Sequence, residues 1–283
     1  MGTRNNDNSR IGERAGSVLY SQWDLVCRLR EEALGHPDLD TVHDLRVASR
    51  RLRATVGLLA PFIPGAKPKR LGRELRAVTR TLGLLRNLDE LLAYLAATSL
   101  DVPVLRSTLA AARKGELKPV EAGLEAFPAD KLDRLVRRGV EEMAGSAGDG
   151  ADLPEYFSAT AYRRFQAVHD LLPPALEPAN AAGRHALRIA IKKWRYLLET
   201  AGAVFLHDYS PSLELLKEYQ TLLGGMNDLE EFGMLCDGAG ISKRERNAVH
   251  RSLGRDAAAA LAELLALAAS RPPQYTFVLE VNP

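Results

Sequence analysis

Apolar residues recur along this chain at the three- and four-residue spacing of amphipathic helices. Leu19, Trp23, Val26 and Ala33 predict a helix over residues 13–34, ended by Gly35-His36-Pro37-Asp38. Leu45, Ala48, Leu52, Val56 and Leu59 predict a second over residues 41–59, with Thr41 as a cap and Pro61 and Pro64 as stops. A basic turn, Lys67-Pro68-Lys69-Arg70, leads into a third helix over 69–85, and helix resumes over 90–97. Residues 101–150 read as one or two further helices punctuated by Pro103, Pro119 and Pro128. Leu187, Ala190, Trp194, Leu198 and Ala201 form another core stripe, followed by helical stretches over 211–223, 231–236 and 244–269. Residues 275–281 fit a lone strand or an ordered extended tail, and no convincing sheet can be assembled. The fold class is all-α.

Two of these helices carry the same sequence pattern. His43-Asp44-Leu45-Arg46-Val47-Ala48-Ser49-Arg50-Arg51-Leu52-Arg53 is answered by His185-Ala186-Leu187-Arg188-Ile189-Ala190-Ile191-Lys192-Lys193-Trp194-Arg195. Every matched position, from His43 with His185 to Arg53 with Arg195, is 142 residues apart. Tyr20 and Trp23 match Tyr162 and Phe165 at the same offset. Leu82-Gly83-Leu84-Leu85-Arg86-Asn87-Leu88-Asp89 matches Leu223-Gly224-Gly225-Met226-Asn227-Asp228-Leu229-Glu230 at an offset of 141. An internal repeat of this kind predicts two similar helical bundles packed together. Residues 1–12, polar and rich in Asn and Gly, read as disordered. The first half runs over 13–150 and ends in a Gly/Ser-rich linker at 145–150. The second half runs over 151–270, and 271–283 is a C-terminal tail.

On each repeated helix a second stripe is basic. His43, Arg46, Arg50 and Arg53 share one face, and so do His185, Arg188, Lys192 and Arg195. Each stripe is about 15 Å long at ~1.5 Å per residue. Like charges at these spacings cost roughly 0.2–0.5 kcal/mol per pair, and neither stripe contains a carboxylate, Glu199 coming only after the second one ends. Lys69, Arg73, Arg76 and Arg80 form a third stripe, to which only Lys217 corresponds in the second half. Arg51 and Lys193 lie about 100° around the helix from Arg50 and Lys192, placed either to reach a ligand or to bond a neighbouring helix.

The chain totals 283 residues and a net charge of only +2, which by itself implies no anionic partner. Distribution changes that picture. Residues 41–90 hold 11 Lys or Arg against 4 Asp or Glu, and residues 184–198 hold 5 basic residues and no acid. The molecule is therefore expected to be electrostatically lopsided. The two cysteines, Cys27 and Cys236, have no metal-ligand spacing around them and imply no disulfide framework. No apolar run is long enough to span a bilayer, and the N-terminus lacks a signal core. A cytoplasmic protein without a membrane partner is expected.

Guanidinium groups bind phosphate oxygens bidentately and lysine acts as a point charge. Repeated uncompensated rows of both suit a linear polyanion better than a compact ligand. His43 and His185 fit either contact with phosphate or a hydrogen bond near their helix starts. They lack the neighbours that metal ligation requires. Asp89, Asp228 and Glu230 could in principle hold a divalent ion for phosphate hydrolysis, but acids after a glycine more simply favour a helix start. Tyr196 and Trp194 raise base stacking. Trp194, however, lies on the core stripe, and aromatic residues make up only 6% of the chain.

The His-x-x-Arg-Val-x-x-Arg-Arg-x-Arg and Leu-Gly-x-x-Arg-Asn-x-Asp motifs, followed by His-x-x-Arg-Ile-x-x-Lys-Lys-x-Arg-Tyr, resemble the conserved histidine α-helical domain, or CHAD, family over residues 14–269. The resemblance implies two pseudo-symmetric helical bundles around a basic cavity, binding of inorganic polyphosphate, and association with polyphosphate granules. Asn227 in place of Arg86, and the weakly basic 211–223 stretch, depart from a symmetric pattern. The expectation is a non-catalytic polyphosphate-binding protein without a cofactor or metal. Its binding residues are His43, Arg46, Arg50, Arg51, Arg53, Lys69, Arg73, Arg76, Arg80, Arg86, His185, Arg188, Lys192, Lys193, Arg195, Tyr196 and Lys217. The alternatives are a nucleic-acid-binding helical protein and a metal-dependent phosphohydrolase.

Overall fold

The computed structural model describes residues 2–145 and 153–279. Among the described residues there are ten α-helices, a short 3-10 turn and no strand. Helix α1 spans Gly2–Gly35. The polar residues before 13, expected to be disordered, thus extend the first helix, since lengthening an existing helix avoids the unfavourable nucleation step. Helix α2 spans Leu39–Leu59, and its cap is Asp38, which accepts from the Thr41 backbone N–H at 2.8 Å. Thr41, the expected cap, lies inside the helix, and the bond holds the Asp38 carboxyl below the usual carboxylate range. Pro61 and Pro64 stop α2, leaving the 3-10 turn Ala60–Phe62.

Helix α3 spans Lys67–Thr81, with Pro68 in its first turn where the missing N–H costs nothing. The helix expected through residue 85 breaks at Leu82, and α4 runs from Gly83–Ala97. The stretch after residue 100 forms two helices, α5 (Pro103–Glu125) and α6 (Ala129–Gly145). The Gly/Ser-rich boundary beyond residue 145 lies outside the described residues. The second half comprises α7 (Leu153–Ala175), α8 (Ala181–Phe205), α9 (Ser210–Gly238) and α10 (Lys243–Ser270). Asn180 caps α8 by accepting from Gly183 N–H at 2.8 Å. It stands 142 residues after Asp38, so the repeat includes the helix start. Unlike α3 and α4, α9 runs unbroken through both corresponding motifs.

The core stripes read from the sequence are buried without exception: Leu45, Ala48, Leu52, Val56 and Leu59 on α2, and Leu187, Ala190, Trp194, Leu198 and Ala201 on α8. They join one large apolar core that also takes Trp23 from α1, Leu75 from α3 and Leu216 from α9. Truncating a leucine in such a core costs about 2–5 kcal/mol. A second, smaller core packs Leu88, Leu91 and Leu95 of α4 and Leu105 of α5 against Phe232 and Cys236 of α9 and Val249 of α10. The halves are therefore interlocked.

Helices α2 and α8 meet directly, where the buried Thr55 and Thr200 hydroxyls lie 3.2 Å apart. This contact turns the two basic stripes toward one shared region. Residues 272–279 form an ordered extended tail, the second of the two forms expected. The Tyr275 ring stacks on Trp194 and Phe277 on Tyr209, whose hydroxyl donates to the Val278 carbonyl at 2.8 Å. Among the described residues no helix is long and apolar enough to cross a membrane.

Candidate functional site

Where α2, α4, α8 and α9 converge, a depression of about 330 Å³ is lined by Arg46, Arg50, Arg86, Arg188 and Lys192, together with Asp228 and Glu231. The break between α3 and α4 shapes this floor. Ending α3 at Thr81 frees the Thr79 carbonyl, which accepts from Arg46 Nη1 at 2.6 Å. Arg86 makes a bidentate pair with Asp228 at 3.1 and 3.0 Å and also reaches Glu90 at 3.2 Å. The Nε atoms of Arg46 and Arg188 are buried and have no partner among the described residues. An unpartnered buried donor normally costs about 1–3 kcal/mol, so these groups are disposed to accept an anion.

A second depression, about 550 Å³, shares Arg50, Arg188 and Lys192 with the first and adds Arg53, Arg164, His185, Lys193 and Tyr196. A third, about 900 Å³, shares Arg53 and Gly57 with the second and follows the groove between α2 and α3, where Lys69, Arg70, Arg73 and Arg76 border it.

Cations dominate the electrostatics of the inner region. Burial, together with Arg188 and Arg50, pulls the Lys192 ammonium down to about 7. Burial and the neighbouring Arg50 and Arg86 lower Arg46 to about 10. Arg53 is lowered by burial, then by Arg76 and Arg50, and Arg188 is lowered chiefly by burial. Arg86 alone moves upward: burial opposes its charge, but the bond to Asp228 outweighs it. Crowded cations of this kind are stabilised by any anion that enters.

The structure brings together thirteen of the residues singled out in the sequence: His43, Arg46, Arg50, Arg53, Lys69, Arg73, Arg76, Arg86, His185, Arg188, Lys192, Lys193 and Tyr196. It places Arg51, Arg80, Arg195 and Lys217 elsewhere. Arg51 donates to Glu199 of α8 at 2.9 Å, the neighbouring-helix alternative for that residue. Arg195 donates to the other Glu199 oxygen and to Gln220, each at 2.8 Å. Glu199 therefore does offset the second stripe, because i,i+4 on one helix is within side-chain reach. Arg80 and Lys217 are exposed and border none of the three depressions.

His43 lies 4.0 Å from Glu90, and His185 Nδ1 lies 3.0 Å from the Asn227 side-chain oxygen. Both rings still border a depression. Two basic residues of the lining, Arg164 and Arg70, are not marked by the sequence pattern. Arg164 aligns with Gln22 across the repeat, so a search by matched positions passes over it. Arg70 falls outside the spacing that picks out Lys69, Arg73 and Arg76. Its place in the basic turn was the available signal.

Among the described residues no group of three or more His, Cys, Asp or Glu side chains comes together as a metal ion would require. Asp89 is buried against Arg113 and Asp228 is held by Arg86, so both carboxylates have guanidinium partners. Glu230 is exposed.

Comparison with known proteins adds to this geometry. The sequence matches the CHAD domain over residues 18–236. Among solved structures, the CHAD domain from the plant Ricinus communis superposes with a TM-score of 0.66 at 23% identity, covering 94% of this chain and 89% of that one. PptA from Streptomyces chartreusis superposes with a TM-score of 0.64 at 19% identity, covering 92% and 99% respectively. At these identities the likeness carries the fold. No curated protein matches the chain.

Proposed function

The chain belongs to the CHAD domain family, and from that premise we propose that it binds inorganic polyphosphate in the connected basic depressions without turning it over. The observation that carries this reading is the inner cluster of Arg46, Arg50, Arg188 and Lys192. Two of its buried Nε donors lack partners, and burial, reinforced by Arg188 and Arg50, pulls its lysine down to about 7. A polyphosphate segment would supply the missing acceptors and countercharge together. Association with polyphosphate granules in the cytoplasm would follow from such binding. The pairing of Asp89 with Arg113 and of Asp228 with Arg86 supports binding without hydrolysis.

Titration of the whole chain with long-chain polyphosphate at low and high salt tests the proposal. Binding should weaken steeply as salt rises, because polyanion association is driven largely by counterion release. Salt-independent affinity, or none at low salt, would overturn it. Phosphate release that needs a divalent ion and disappears in Asp228→Asn would instead favour the phosphohydrolase. Nucleic acid offers the same phosphates, and Tyr196 is the one Phe, Trp or Tyr side chain bordering the three depressions among the described residues. Displacement of polyphosphate by single-stranded nucleic acid at equal phosphate concentration would favour that reading.

A further inference from the structure

We propose that the site is a one-sided track. A long linear polyanion leaves the junction of α2 and α8 over α2 and α3, while the corresponding face of α8 and α9 is closed to it. This rests on the polyanion reading above and adds a direction and a preference for chain length.

Three observations define the open side. The inner and middle depressions share Arg50, Arg188 and Lys192, and the middle and outer ones share Arg53 and Gly57, so the lining is continuous. At Gly57 a Cβ would meet nothing within 4 Å, so the passage there is unobstructed. Beyond it, Lys69, Arg70 and Arg76 are exposed along the groove and form no ion pair among the described residues. Arg73 also borders the groove, although it pairs with Glu74.

The other side differs at the matching positions. Glu199 stands where the first half has Gly57, 142 residues earlier, and it holds both Arg51 and Arg195. On α9, at the offset of 141, Ser210, Pro211, Glu214 and Lys217 replace Lys69, Arg70, Arg73 and Arg76. Four positive charges thus become a serine, a proline and two opposite charges. The inner depression, unlike the outer one, also has carboxylates in its lining: Asp228, held by Arg86, and Glu231. These offset part of the positive charge there, so for a chain too long for the junction the α3 side is the favoured exit.

A short polyphosphate fills the junction and gains nothing from α3. A long one adds the α3 cations, each releasing further counterions. The full-length chain is titrated with tripolyphosphate and with long-chain polyphosphate, for the wild type, for Lys69→Gln with Arg70→Gln and Arg76→Gln, and for Lys217→Gln. All four side chains are exposed, and circular dichroism checks that the variants stay folded. The triple variant should lose roughly tenfold or more in long-chain affinity, with a salt slope shallower by about two to three. It should bind tripolyphosphate as the wild type does, and Lys217→Gln should change neither ligand by more than about twofold. The track is overturned if the triple variant keeps its long-chain affinity, if it loses both ligands equally, or if Lys217→Gln loses as much. A wild type that binds neither ligand overturns the polyphosphate reading itself.

Discussion

Arg53 and Arg195 occupy the same position of the repeated motif, on helices of the same register, and their surroundings are opposite. Arg53 borders a groove with Arg76 of α3 and lies beside Arg50 on its own helix, forms no ion pair among the described residues, and has its charge disfavoured by burial and by those neighbours. Arg195 is fixed by Glu199 and Gln220. The difference traces to the residue one turn further on, Gly57 in one half and Glu199 in the other. Copies of one motif can thus do different work: the first-half arginine stays available to an outside ligand, whereas the second-half arginine helps to hold α8 against α9. An internal repeat is evidence for shared architecture, and the partners of each copy decide its chemistry.

Removing what the two halves share breaks the comparison most severely. Neutralising the junction with Arg50→Gln, Arg188→Gln and Lys192→Gln should weaken long-chain polyphosphate binding by about 100-fold or more at low salt, since it removes three cations common to two depressions. None of the three side chains makes an ion pair among the described residues, so helicity and melting temperature should hold or rise. Undiminished affinity in a folded variant would move the site away from the junction.

A pH series sharpens the comparison through Lys192, whose counterpart in the first half is Arg50. Lys192 shares its two depressions with His185 and Arg188 on its own helix, His43, Arg46 and Arg50 on α2, Arg86 on α4, Arg164 on α7, and Asp228 and Glu231 on α9. In the free protein it titrates at about 7, and a bound polyanion raises it. Affinity should therefore be high below pH 7 and fall above it, by up to about tenfold per pH unit, with proton uptake on binding near pH 8. Stability without ligand should run the other way. Because the folded value lies below the unfolded one, stability rises with pH from about 7 toward the ordinary lysine range. Lys192→Met should flatten both trends above pH 7; calorimetry in two buffers of different ionisation enthalpy would detect the uptake, and a pH-independent affinity in the wild type would refute it.

The smallest effect comes from making the second half resemble the first. Glu199→Gln frees the charges of Arg51 and Arg195, and should tighten long-chain binding by roughly two- to fivefold at low salt. It should also destabilise the fold by about 1–3 kcal/mol, because two partly buried guanidiniums lose a charged acceptor. Weaker binding in a folded Glu199→Gln would mean that its arginines serve the ligand only when held in place.

Much of this molecule is determined by the sequence alone. Helical periodicity, the constant offset between His43 and His185, and the prolines at 61, 64, 68 and 103 specify an all-α chain with two matched basic helices, because those signals are local and additive along the chain. The core stripes of α2 and α8 follow from the same periodicity, and every residue assigned to them is buried. What only the tertiary structure decided depends on groups distant in sequence. The pairing of Arg86 with Asp228, of Arg51 with Glu199, and of Asp89 with Arg113 joins different helices. Arg164 enters the site from α7 with no repeat partner to mark it. Charge along a helix shows which residues could face a ligand. Which of them remain free to do so is set by where the carboxylates of other helices come to rest, because an ion pair forms only within a few ångströms and the fold alone fixes those distances.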